Sequence, residues 1–448
     1  MTTNKKTLKS VEELQAHVRS GLSTFYSASQ TSTVIPFDQL DSKLSGTCQG
    51  DLSQMAQSME IDPEGNLILK GAVTWKDARA FCRSKGRDVM TAPTEELACI
   101  LSGFATSATG ERCFGFGSLR EQANWIKYVD QSGEVKTLDA SKELSGHEIF
   151  SEEQGQEALR KYQQSYTKYN NFKNAPFPRM LKETDLMTGT EGQLGVVVEA
   201  SLITTELKNV SYIFMKLPKW EEDLSIHMEI FDKVQSFRKS IYACEMIDEN
   251  ALSVIPVEDR IVESGDLIFL EIDMNSFDEV YEGLLSGLSG IKEEEIFEVS
   301  AAKCHALRMS IPRETFERNA RMGVTKKGTD VQTKKEDFKK LLELYRSFSE
   351  LGITYNLFGH FGDAHLHFNF MPTKEEEGVC QEKLIELYNK VCEWQGSPFA
   401  EHGIGLIKQK FIGPYWQSAQ LDLFKYLKKK MDSENIFFPQ GYMNLEEA

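Results

Sequence analysis

The chain has 448 residues with 51 basic and 68 acidic side chains, a net charge of −17, and 40% hydrophobic and 27% charged residues. That is globular composition at a length that asks for two or three domains, and it excludes a disordered or fibrous protein. The acidic balance excludes a general nucleic-acid binder, which needs a cationic face, but a local cationic pocket for a small anionic substrate is compatible with it.

In chain order, "SVEELQAHVRSG" has helical spacing. "SMEIDPEG" and "NLILKGAVTW" read as short β segments around a turn at Pro63–Gly65, and "WKDARAFCRSKG" as a helix ending at Gly86. Residues 92–118 are rich in Gly, Ala, Ser and Thr, and "NWIKYVDQSGEVKTL" predicts a hairpin around Gln131–Gly133. A polar stretch from about 141 to 180 reads as a long excursion, and "TGTEGQLGVVVEASLITTEL" as a glycine-rich turn entering a strand. After about residue 207, "SYIFMKL", "SIYACEMI", "DLIFLEIDM" and "IFEVSAA" read as strands. "WEEDLSIHMEIFDKVQSF" and "FDEVYEGLLSGL" read as helices between them, which predicts an α+β domain. Amphipathic helices are expected over 334–350 (Phe338, Leu341, Leu342, Tyr345, Phe348) and 376–394 (Leu384, Leu387, Tyr388, Val391, Trp394).

The opening "MTTNKKTLKSVEELQ" lacks an apolar signal-peptide core, and no run of eighteen apolar residues occurs. The expectation is a cytoplasmic protein with no transmembrane segment, at most peripheral to the inner membrane. The eight cysteines are scattered with no CxxC, which argues against iron–sulfur or thiolate zinc sites and for buried reduced thiols.

Residues 358–370, "FGHFGDAHLHFNF", hold three of the eight histidines. Alternation puts Leu366, Phe368 and Phe370 on one side of a strand and His365, His367 and Asn369 on the other. "ITYNLFGH" reads as a preceding strand and "FGDA" as the turn, so a hairpin brings His360 towards the same polar face. Farther on, "FAEHGIG" presents Glu401 and His402 on a glycine-rich turn. Two imidazoles and a carboxylate suit Zn²⁺, Mn²⁺ or Fe²⁺ and leave positions open for a substrate. A histidine beside a ligand could serve as general base. "GFGS" at 115–118 is not a Rossmann fingerprint, and no Walker A motif occurs.

"GHFGDAHLHFNF" and "EHGIGLIKQKFI" resemble the GHxGDGNxHxN and EHGxGxxK signatures of FAD-linked 2-hydroxyacid dehydrogenases. That group includes D-lactate and D-2-hydroxyglutarate dehydrogenases and the glycolate oxidase flavoprotein subunit. "TGTEGQLGVVVEASL" resembles the family turn that approaches the flavin, and "SGFATSATGERCFGFGSLREQ" occupies the place of the stretch that holds FAD. The resemblance implies an α+β fold with a vanillyl-alcohol-oxidase/PCMH-type FAD-binding domain of two α+β subdomains at 1–206. It implies a cap with a ferredoxin-like antiparallel sheet carrying the metal site at 207–408, and a C-terminal helical segment, 409–448, packing back on the first domain.

The same resemblance assigns His360, His367 and Glu401 as ligands of a divalent metal, with Zn or Mn favoured, and His402 as catalytic base. Asn369, Arg313 and Lys327 would bind substrate. FAD would be held by Ser29, Thr31, Ser32, Pro93, Gly103, Thr106, Ser107, Gly110, Gly117, Ser118, Gln122, Glu191, Gly192, Gly195 and Val196. The implied activity is oxidation of a D-2-hydroxy acid to the 2-oxo acid, hydride passing to flavin N5 and then to a quinone, cytochrome or electron-transfer flavoprotein. The chain departs from the pattern in three places. "STFYSASQTSTVIP" has no glycine where the family has a glycine-rich pyrophosphate loop, "GDGN" has become "GDAH" at Ala364 and His365, and "NPGK" has become "FPQG". The first departure supports an alternative, a catalytically degenerate, weakly FAD-binding relative with a binding or subunit role. A metal-dependent hydrolase is a third reading, but it leaves the first domain unexplained.

Overall fold

The computed structural model describes residues 4–44, 46–91 and 93–445. The chain divides into two compact units, one made of the residues up to Thr109, Gly117–Leu207 and the residues from Glu401 onward, the other of Gly110–Phe116 and Lys208–Ala400.

The first unit holds a parallel sheet of β1 (Lys5–Thr7), β2 (Thr24–Ser27) and β3 (Cys48–Asp51) in the order β1-β3-β2. The helix Val11–Arg19 joins β1 to β2. It starts where the Ser10 hydroxyl accepts the Glu13 N–H, a standard N-cap. The helix thereby buries Leu14 and Val18 against Val129, Val196 and Phe437. An antiparallel sheet follows from β4 (Ser58–Ile61), β5 (Leu67–Lys70), β7 (Ala123–Val129), β8 (Val135–Asp139) and β9 (Val196–Leu202), ordered β4-β5-β9-β7-β8. A separate two-stranded pair is β6 (Arg87–Val89) with β10 (Thr204–Glu206). Both expected hairpins are present, and the helix expected from "WKDARAFCRSKG" runs Trp75–Ser84.

The polar stretch from 141 to 180 is more ordered than its composition suggests. It contains the helix Glu153–Tyr166, whose buried stripe is Ala158, Leu159, Tyr162 and Tyr166. Tyr162 and Phe150 lie against Phe424 and Tyr426 of the helix Ser418–Met431, with ring centroids 6.0 and 5.7 Å apart. Aromatic stripe residues separated by Lys, Gln and Ser hid the periodicity. In the last turn of Ser418–Met431, the buried Lys428 ammonium donates to Asp432 Oδ2 at 2.5 Å and to the carbonyls of Gln193 and Phe437, both at 3.2 Å.

The second unit is built on one antiparallel seven-stranded sheet. Its strands are β11 (Val210–Leu217), β12 (Ile241–Ile247), β13 (Asp266–Asp273), β14 (Ile296–Val299), β15 (Lys327–Gly328), β16 (Tyr355–His360) and β17 (His365–Phe370). Their order is β14-β11-β13-β12-β16-β17-β15. The expected strand "IFEVSAA" stops at Val299, because the Ser300 side chain accepts the Lys303 N–H and opens the helix Ala301–Met322. Cys304, Leu307 and Ile311 of that helix pack on Phe214, Ala243 and Phe269 of the sheet. The helix Phe338–Ser349 buries the expected stripe, and Tyr345 and Phe348 meet Phe368 and Phe370 at 5.1 and 5.7 Å between ring centroids. "FDEVYEGLLSGL" is helical only over Phe277–Leu285, its second half a π turn. All eight cysteines are free thiols, and seven are buried.

Candidate active site

In the second unit the histidine hairpin forms as its alternation requires. β16 and β17 pair with His360 opposite His365 and Phe358 opposite His367. The turn residue Ala364 has φ +54°, a left-handed conformation that suits glycine better than alanine. The resembled signature has glycine at that place. Leu366, Phe368 and Phe370 are fully buried on the core side, while His365 is fully buried and His360 and His367 are each 7% exposed on the other. Gly359 is required beside them, since a Cβ there would sit 2.9 Å from His367 Cδ2. One ring nitrogen from each of His360, His365 and His367 lies within 4.8 Å of the others.

Each imidazole is oriented by a neighbour. Glu245 Oε1, on the adjacent strand β12, lies 2.8 Å from Nδ1 of His360. Nδ1 of His367 donates to the Thr329 carbonyl at 3.1 Å. A carbonyl can only accept, so the proton sits on Nδ1 and the lone pair on Nε2. Nε2 of His365 is 3.3 Å from Asp330 Oδ1. Carboxylates and carbonyls behind imidazoles are the usual means of fixing a metal ligand's tautomer and raising its basicity, so the donor set fits a divalent cation.

The expected substrate residues are placed unevenly. Asn369 is buried and donates to Asn356 Oδ1 at 3.0 Å. Lys327 begins β15 opposite Phe370, with its ammonium 3.4 Å from Glu377. Arg313 points outward, 64% exposed, and pairs with its neighbour Glu314 at 3.0 Å. A cation of that helix turned further from solvent is Arg308, half-buried and not foreseen from the sequence, and it pairs with Glu111. Burial works against its charge, but Glu111 and Glu245 outweigh burial and hold its pKa above the ordinary arginine value. Its position four residues after the buried Cys304 was the available signal.

In the first unit, the turn "TGTEGQLG" and the turn "EHGIG" are fastened together. Glu191, at φ +54°, accepts the N–H groups of Ile404 at 2.6 Å and Gly405 at 3.1 Å on Oε1. Burial pushes its pKa up to about 7 against those two donors. Gly403, at φ +79°, is obligatory, since a Cβ would lie 2.7 Å from Glu191 Oε1 and 2.9 Å from Thr106 Cγ2. Thr109 Oγ1 donates to Glu401 Oε2 at 2.5 Å, and His402 Nε2 lies 3.5 Å from Glu401 Oε1 with its side chain 30% exposed.

The residues expected to hold a cofactor converge on that same turn from three stretches. The loop carrying Ser29, Thr31 and Ser32 ends at Val34, whose carbonyl accepts the N–H of Leu406 at 2.9 Å. Gly103 and Thr106 lie in the helix Ile100–Thr106, which Ser107 ends at φ +54°. That helix end receives the 189–191 turn through the Gly189 and Glu191 N–H groups, donated to Phe104 and Ala105. Gly192 leaves an open face, the nearest atom to a Cβ there being Gly195 O at 4.0 Å. Others among the expected residues serve the fold. Ser118 and Glu121 form a capping box after Gly117, Gln122 accepts the Thr91 N–H at 3.1 Å, and Gly195 avoids Tyr128 as Val196 opens β9. Pro93 is half-buried. Gly110 falls in the second unit, at the start of a segment held there by Arg112, which donates to Glu271 at 2.9 and 2.5 Å.

Residues 222–441 match the family of FAD linked oxidases, C-terminal domain. That stretch carries a C-terminal domain of the FAD-linked oxidase type. It is 27% identical over 292 residues to a Schizosaccharomyces pombe protein provisionally named as a mitochondrial D-lactate dehydrogenase. That alignment takes in 58% of this chain and about half, 52%, of the relative. It is 21% identical over 405 residues to the D-lactate dehydrogenase of Anaerostipes hadrus, covering 87% of this chain and 78% of that one. Among solved structures it resembles alkyldihydroxyacetonephosphate synthase with a TM-score of 0.64 and 10% identity, over 97% of this chain and 75% of the other. That likeness shows a shared α+β fold. Among the described residues, no helix is long and apolar enough to cross a membrane.

Proposed function

We propose that the chain is an oxidoreductase that converts a D-2-hydroxy acid of the lactate kind to its 2-oxo acid. The observation that carries this reading is the histidine hairpin, whose imidazoles are each backed by an orienting acceptor, in a chain whose relatives are named D-lactate dehydrogenases.

His360, His367 and Glu401 are the proposed ligands of a divalent metal, Zn or Mn, with Glu401 supplied by the "EHGIG" motif. The hydroxyls of Ser29, Thr31 and Ser32, the helix end at Thr106–Ser107 and the open face at Gly192 are the proposed contacts of FAD. When bound, the metal polarises the substrate hydroxyl and FAD accepts the hydride.

The chain's own residues do the rest. His402 receives the hydroxyl proton on a ring nitrogen, and the Glu401 carboxylate 3.5 Å from Nε2 stabilises the imidazolium that forms. Glu191 holds the backbone after His402 in place, so the base is pre-positioned. Lys327 and Arg313 were the sequence candidates for the substrate carboxylate. The exposure of Arg313 favours Lys327 and the half-buried Arg308 for that work. Electrons then leave to an external acceptor, a quinone, a cytochrome or an electron-transfer flavoprotein.

The glycine-free loop at Ser29–Ser32 favours a second reading, a relative that binds FAD weakly and serves as a subunit or binding protein. A dye-linked panel of D- and L-2-hydroxy acids, run with and without a chelator, separates the two. Chelator-sensitive dye reduction by D-isomers supports the enzyme, and no reduction by any acid after reconstitution with FAD and metal contradicts it.

A further inference from the structure

We infer that His365 is a third imidazole ligand, so that the second unit by itself presents a three-histidine metal site. This deepens the metal site of the proposed function and rests on that reading. The resembled signature has asparagine at position 365, so the added donor is a property of this chain.

The hairpin register sets His365 directly opposite His360, and the two-residue strand period puts it on the same face as His367. The three rings therefore form a compact triangle on one face of the hairpin. The His365 ring centroid is 5.1 Å from that of His360 and 4.6 Å from that of His367, whereas those two are 5.8 Å apart. A cation at the centre of that triangle is within reach of all three rings. One nitrogen from each of the three lies within 4.8 Å of the others, and zinc–nitrogen bonds of about 2.0–2.1 Å draw such a set together by small side-chain rotations.

The surroundings agree with this role. His365 is fully buried on the polar side of β17, where an imidazole held only for packing would be a poor substitute for an apolar side chain. Asp330 Oδ1 stands 3.3 Å from its Nε2, as Glu245 stands behind His360 and the Thr329 carbonyl behind His367. Each of the three rings thus has an oxygen behind one nitrogen, the arrangement found behind metal-bound imidazoles. The chemical consequence is a nitrogen-rich site. Imidazole suits Zn²⁺, Co²⁺ and Ni²⁺, while carboxylate and water suit Mn²⁺, so a third imidazole moves preference away from Mn²⁺.

The test uses full-length protein freed of metal by a chelator and titrated with Co²⁺ and Mn²⁺ alone. Affinities come from chelator competition, and thermal unfolding reports whether each variant is folded. His365→Asn is expected to weaken Co²⁺ by at least about 100-fold, since even outer partners of metal ligands are worth about 10–100-fold, and to weaken Mn²⁺ far less. X-ray absorption of the wild-type Co²⁺ form is expected to count three imidazoles, a measurement that does not depend on any variant folding. Unchanged Co²⁺ affinity in a folded His365→Asn, or two imidazoles in the wild type, overturns the inference. If His360→Ala and His367→Ala still lose the metal in that case, the proposed function stands without it. If they too bind Co²⁺ as the wild type does, the metal site of the proposed function falls as well.

Discussion

Glu191 accepts the backbone N–H of Ile404 at 2.6 Å, from a side chain that burial has brought to a pKa of about 7. Glu191→Gln retains an oxygen that can receive both loop N–H groups. Glu191→Leu leaves two buried donors without an acceptor, at about 1–3 kcal/mol each. Urea unfolding is expected to place the Leu variant roughly 2–6 kcal/mol below the Gln variant. Its turnover with 2-hydroxy acids is expected to fall at least tenfold, while the Gln variant stays near wild type. Equal effects of the two substitutions contradict the clamp.

The same residue predicts a pH dependence. Its folded pKa of about 7 lies above the ordinary glutamate value of 4.5, so the folded state binds the proton more tightly than the unfolded chain. Its contribution to stability is therefore full below about pH 4.5 and is lost as pH rises to about 7. At 1.36 kcal/mol per unit the change amounts to about 3 kcal/mol. Wild type minus Glu191→Gln stability, from urea melts at pH 5 and pH 7.5, is expected to fall by that order. A difference that rises or stays flat refutes the assignment.

Glu245 orients His360, so Glu245→Gln is expected to weaken metal binding by about 10–100-fold without removing a ligand. Chelator competition on folded protein measures it, and unchanged affinity removes Glu245 from the site.

Arg112 and Glu271 form a buried two-point pair, at 6% and 1% side-chain exposure. Removing one partner strands the other, at about 3–5 kcal/mol. Glu271→Gln is expected to lower the denaturant midpoint accordingly, and a change below about 1 kcal/mol would show that the pair is solvated.

Much of the fold was legible because strands and helices here obey their periods. The stripe from Phe338 to Phe348 and the alternation from His365 to Phe370 both ended buried as read. The helix Glu153–Tyr166 was hidden because its aromatic stripe is interleaved with Gln, Lys and Ser, and its packing partners lie some 260 residues later. Ala301–Met322 was hidden by Pro312 and by its start one residue beyond a strand. At the site, the motif histidines could be named from local spacing. Glu245, Thr329 and Asp330 could not, because their roles depend on which segment lies next to which. Glu191 was visible as part of a motif, but its place as a backbone clamp follows from a partner more than two hundred residues away.

His402 is the residue on which turnover depends in this account. His402→Asn is expected to lower kcat by about 10²–10⁴-fold while leaving flavin content and the unfolding temperature near wild type. Retained turnover removes it as the base.

The central claim is tested most directly by mixing purified, FAD-reconstituted protein with D-lactate and other D-2-hydroxy acids in the absence of oxygen and following the flavin band near ~450 nm. The account predicts that at least one D-acid bleaches the band in the metal-loaded protein, and that its L-isomer does not. A protein that cannot be reconstituted with FAD, or whose flavin no 2-hydroxy acid reduces, contradicts it.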